Sequence, residues 1–142
     1  MRFLSMIRVQ ENTGKQPSER MMSEMGKLMT EMKGAGKLLD TAGLAPTAKS
    51  KRVRLRGGKI SVVDGPFTET KELVAGFWIW QVKSMDEAVE WARRIPNPDN
   101  ADGEIEIRPV FTDEDFGAAL TPDIRDQAER LRARTEGSSA RS

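Results

Sequence analysis

Val74-Ala75-Gly76-Phe77-Trp78-Ile79-Trp80-Gln81-Val82 is the most apolar stretch of the chain, and its reading decides the fold. β-Branched and aromatic side chains dominate it, as suits a pleated strand. Successive residues of a strand point to opposite faces. One face then carries Val74, Trp78, Trp80 and Val82, and the other Ala75, Phe77 and Ile79. Residues 3–9 (FLSMIRV) show the same property, with Phe3, Ile7 and Val9 on one side and Leu4 and Met6 on the other. Strands that are apolar on both faces are central strands covered on two sides.

Working outward, two helices flank these strands. Ser18 is placed to cap a helix running to about Gly34, in which Met21, Met25, Leu28, Met29 and Met32 recur at helical spacing. A methionine stripe also suits a soft, promiscuous binding surface, but its spacing favours core packing. Ser84-Met85-Asp86-Glu87 matches a capping box and opens a second helix with Met85, Ala88, Val89, Ala92 and Ile95 on one face, ended by Pro96. Residues 37–44 read as a weaker strand and residues 104–108 (EIEIR) as a half-exposed one. Residues 51–56 (KRVRLR) and 59–63 (KISVV) flank Gly57-Gly58, a two-residue hairpin signal. In that hairpin Val53 and Leu55 are expected inward and Arg52, Arg54 and Arg56 outward. Asp64 to Phe67 forms a tight turn, 68–72 a short helical turn or loop, and 96–103 a loop. Pro122 begins an amphipathic helix with Ile124, Ala128 and Leu131, and 135–142 are expected to be disordered.

The order β-α-β-β-β-β-α-β makes this an α+β domain over residues 1–112, followed by a tail over 113–142. Setting aside an extra strand added by the hairpin, the order is the ferredoxin-like βαββαβ pattern. Two helices cover one face of such a sheet. The other face needs a partner, and a face-to-face homodimer would supply it.

Composition narrows the chemistry. The 142 residues include no His, Cys or Tyr, and 23 basic against 22 acidic residues give a net charge of +1. Disulfides and thiol chemistry are excluded, and nitrogen- and sulfur-loving metals lose their preferred ligands. Any acid–base catalyst would have to be a carboxylate with raised pKa or a lysine with lowered pKa. The near-zero net charge offers no global attraction to nucleic acid or anionic lipid. No apolar run reaches the ~18 residues of a membrane span. The expectation is a cytoplasmic protein with no cofactor, metal, membrane or nucleic-acid partner.

Asp64-Gly65-Pro66-Phe67-Thr68-Glu69-Thr70-Lys71-Glu72 resembles the signature of the DGPF branch of the YCII-related family. Ala75-Gly76-Phe77-Trp78-Ile79, Asp86-Glu87-Ala88-Val89-Glu90-Trp91-Ala92 and Glu104-Ile105-Glu106-Ile107-Arg108-Pro109-Val110 extend the likeness over residues 1–110. The resemblance implies a ferredoxin-like fold, a dimeric α+β barrel and a pocket between sheet and loops. Function in the family is largely unassigned. Some members have been proposed as enzymes with a His–Asp pair, and DGPF members are often encoded beside, or fused to, extracytoplasmic-function sigma factors. The Asp of such a pair carries over as Asp64; the His has no counterpart here.

Asp64 is accordingly the candidate catalytic residue, with an Asx-type structural turn as the competing reading. Glu69 and Glu72 would complete a carboxylate site, or sit at a solvated helix start. Lys49, Lys51, Arg52, Arg54, Arg56 and Lys59 crowd one hairpin, where they suit an anionic ligand or protect an edge from aggregation. No aromatics interleave with them, so the stacking half of a single-strand nucleic-acid site is missing. Trp78 and Trp80 line a pocket or a dimer core. The expected site is therefore a small-molecule pocket of Asp64, Arg54, Phe67, Glu69, Trp78 and Trp80. The alternative is a non-catalytic dimeric partner in sigma-factor-type transcription control.

Overall fold

A computed structural model describes residues 1–9, 16–67 and 73–139. They divide into two compact units, Met1–Pro109 and Val110–Ser142. The first unit is α+β. Its four-stranded antiparallel sheet has β1 (Arg2–Val9) and β5 (Leu73–Gln81) at the centre, with β2 (Leu38–Gly43) and β6 (Glu104–Pro109) at the edges, in the order β2-β5-β1-β6. The two strands read as apolar on both faces are thus the two central ones.

Helix α1 (Glu19–Gly34) starts where Met21 N–H donates to Ser18 Oγ at 3.1 Å. It ends as Lys37 N–H donates to Met32 O and Gly36 takes φ +73°, a conformation costly for any residue with a Cβ. Leu28 and Met32 are buried on the sheet, with Met25 and Met29 packed beside them, so the methionine stripe is core. Helix α2 (Met85–Arg93) has Glu87 N–H donating to Ser84 Oγ, and buries Ala88 fully. Both helices share one cluster with Phe3, Trp78, Trp80 and Val82.

The hairpin departs from expectation. Strands β3 (Lys51–Arg56) and β4 (Lys59–Asp64) form a two-stranded sheet of their own, rather than adding a strand to the main sheet. Gly57 and Gly58 take φ +57° and +74°, as a tight primed turn requires. Val53 and Leu55, expected inward, are 61% and 74% exposed. Alternation creates an apolar face; it does not supply anything to cover it.

In the second unit a 3₁₀ segment over Asp113–Ala119 follows Thr112, whose hydroxyl and amide both donate to Asp115. Phe111 and Phe116 meet edge to face at 5.3 Å. Helix α3 (Pro122–Ser139) runs through positions 135–139, where disorder was expected, and Thr135 Oγ1 donates to Leu131 O. Opposite charges four apart, as at Asp126 and Arg130, help a polar sequence stay helical. Among the described residues, no helix is long and apolar enough to cross a membrane.

Candidate functional site

The turn after β4 is anchored by a backbone approach that only glycine permits. A Cβ on Gly65 would lie 1.7 Å from Thr47 O, so any other residue must displace main chain. Gly65 N–H donates to Ser50 O at 2.8 Å, and Phe67 N–H to Thr47 Oγ1 at 3.0 Å. These contacts hold Phe67 buried at the hairpin root. The Arg52 guanidinium lies over its ring, 3.8 Å from the centroid. Such a stack immobilises a planar donor on an aromatic floor and is worth roughly 0.5–2 kcal/mol. Arg52, Arg54 and Arg56 follow one another along this face, opposite Val63, Ser61 and Lys59.

Asp64 stands on the other face. It pairs across the ladder with Lys51, whose Nζ donates to its Oδ1 at 2.6 Å. Its side chain is 75% exposed. Strand alternation puts Lys51 and Asp64 in line with Val53 and Val62, then Leu55 and Ile60. The structure therefore brings Arg54 and Phe67 to one face of the hairpin root and turns Asp64 to the other. An exposed carboxylate beside an ammonium is a solvated surface ion pair.

Trp78 and Trp80 pack under the helices, 5% and 0% exposed, with ring centroids 6.0 Å apart. They line the hydrophobic core on the helix side rather than the open sheet face. Phe77 and Ile79, on the same strand, take the open face instead. Glu69, and with it the turn expected over 68–72, lies outside the described residues, as do positions 10–15. Among the described residues no cluster of three or more carboxylates converges as a metal site would need. Arg52 and Thr47 are what sequence reasoning missed as site residues. Arg52 was visible only as one cation of six, because its partner Phe67 is fifteen residues away.

A hollow of about 240 Å³ lies elsewhere, lined by Glu24, Lys27, Leu28, Glu31, Arg94 and Pro96. Arg94 donates twice to Glu31, once at 2.9 Å, and its guanidinium stacks on Trp91. The hydrogen bonds from Arg94 hold the Glu31 carboxyl below its ordinary value of 4.5 and raise Arg94 in return. A pair so neutralised ties α1 to the end of α2. Glu87 is likewise lowered, first by the Lys83 backbone N–H and then by Lys37, whose Nζ is 3.0 Å away.

The model of the YCII-related domain family matches residues 1–114. An uncharacterized protein of Rhizobium meliloti (strain 1021) is 38% identical over 96 residues, which span 68% of this chain and 77% of that relative.

Proposed function

The chain belongs to the YCII-related domain family, and we propose that it binds a small anionic molecule at the root of its hairpin. The observation that carries this reading is the Arg52 guanidinium stacked 3.8 Å above the buried Phe67 ring. A guanidinium stacked on a buried ring fixes positive charge at the hairpin root, where it favours an anion. Arg54, two residues along the same face, adds a second cation within reach of a dicarboxylate. In this reading Asp64 sets the hairpin root through Lys51, and binding rather than catalysis is the activity.

The proposal places the chain in the DGPF branch, on Asp64-Gly65-Pro66-Phe67. It takes the sheet order β2-β5-β1-β6, with its two helices, as support for a ferredoxin-like domain. It pairs two such domains as a homodimer, a dimeric α+β barrel through the helix-free face. Specific nucleic-acid binding is not part of it, because the hairpin cations have no interleaved aromatics.

Saturation-transfer NMR with succinate and with benzoate tests the site. Succinate or benzoate should receive saturation from the protein, and Arg52→Met should remove the effect. No transfer to either at millimolar concentration would sink the proposal.

A further inference from the structure

The hairpin presents an aliphatic face that this chain leaves uncovered. Val53, Leu55, Ile60 and Val62 are 61%, 74%, 71% and 60% exposed. They form two directly opposed pairs, Val53 with Val62 and Leu55 with Ile60. A two-stranded hairpin standing alone in water is marginal at best, and persists when a third strand or a packed surface supports its apolar side. Among the described residues this one pairs only with itself. Its own stability therefore calls for an occupant.

The same unit carries a second apolar face. On the side of the sheet away from α1 and α2, Leu4 lies opposite Ile79 and Met6 opposite Phe77, all four half-buried. We infer that the aliphatic face of each hairpin docks on the helix-free sheet face of a second copy of this chain, reciprocally about a two-fold axis. The inference rests on the homodimer proposed above and adds the hairpin to it.

Area argues for combining the two faces. The hairpin side chains offer on the order of 300 Å² of apolar surface. A stable pair buries about 800 Å² on each partner. The hairpin patch does not reach that figure alone, whereas a two-fold pairing covers both patches on both copies and closes the assembly. Charge agrees. Lys51–Asp64 stands at the root of the hairpin face, and Arg8–Glu106, at 3.1 Å, flanks the sheet face. Those two pairs meet the partner already neutralised, and Asp40, opposite Ile79, and Arg108, opposite Leu4, add charge at the rim of the sheet face. Arg54, Arg56 and Lys59 stay on the opposite side of the hairpin, in water.

The chain has no cysteine, so single cysteines report contacts cleanly. Leu55→Cys and Ile79→Cys proteins, mixed under conditions of subunit exchange, are treated with a short bismaleimide. A covalent dimer should form in the mixture, and not when Leu55→Cys is mixed with Lys33→Cys on the exposed side of α1. Sedimentation should show a wild-type dimer whose dissociation constant rises at least tenfold in Leu55→Glu. That exposed site spares the monomer fold. A wild-type dimer with no 55–79 link, or with unchanged affinity in Leu55→Glu, overturns the hairpin placement and leaves the dimer standing. Linking of Leu55→Cys to itself also overturns it, by putting hairpin against hairpin. A wild-type monomer at micromolar concentration removes the dimer and this inference together.

Discussion

Strand β5 and the hairpin β3–β4 are written in the same code and end in opposite circumstances. Both carry a face of large apolar side chains; the second face of β5 is apolar too, and that of the hairpin is charged. In β5 that face is Trp78 and Trp80, sealed by α1 and α2. In the hairpin it is Val53, Leu55, Ile60 and Val62, open to water in the single chain. The difference teaches that period-2 patterning specifies a surface and leaves its cover to the connections of the chain. The central strand is followed by a helix that folds back on it. The hairpin is followed by a turn that is bonded to the hairpin root through Ser50 and Thr47.

Truncation at the two places should separate them most sharply. Trp80→Ala removes a fully buried ring and should cost roughly 3–5 kcal/mol in urea unfolding. A loss below about 1 kcal/mol would mean that the helix-covered face is no better packed than the hairpin. Next comes the cap that brings α2 onto the sheet. Ser84→Ala should cost about 1 kcal/mol, read from the same curves, because Glu87 N–H loses its acceptor.

Acid should loosen the helical layer in a defined window. Folding lowers the Glu31 and Glu87 carboxyls below 4.5, so the unfolded chain binds more protons than the folded one. Their contribution is complete above 4.5 and is lost as pH falls through the lower folded values. Glu87→Gln should flatten the fall of stability with pH below that value and leave the curve between pH 7 and 9 in shape. An acid slope identical to wild type would remove Glu87 from the account.

The smallest effects belong to the hairpin. At a concentration where the protein is monomeric, Leu55→Ala should change stability by less than about 0.5 kcal/mol, as exposed positions do. In the proposed dimer the same substitution should cost more as concentration rises. Asp64→Asn breaks an exposed ion pair and should cost roughly 0–1 kcal/mol. A fall of several degrees in melting temperature would show Asp64 to be a structural cap after all.

Much of the architecture was legible because it is local. Ser18 and Ser84 sit where unsatisfied helix N–H groups need acceptors, and both accept them. The methionines recur at the helical period and face the core. Gly57-Gly58 turns the hairpin because both positions require positive φ. The double-sided apolarity of 3–9 and 74–82 marked the two central strands. The candidate site was less legible, since it depends on which residues face each other across space. Asp64 and Arg54 read as one site in the sequence, yet Arg54 pairs with Ser61, three positions from Asp64, which sets the two on opposite faces of the ladder.

What the sequence determined by itself, then, is periodicity, capping, turn chemistry and the family signature, each set by neighbours within about four residues. What only the tertiary structure decided is which apolar face is covered, that Trp78 and Trp80 serve the core rather than a pocket, and that Arg52 meets Phe67. Those outcomes turn on contacts between residues far apart in the chain. Strand pairing and helix docking choose such contacts together, and no single segment carries them.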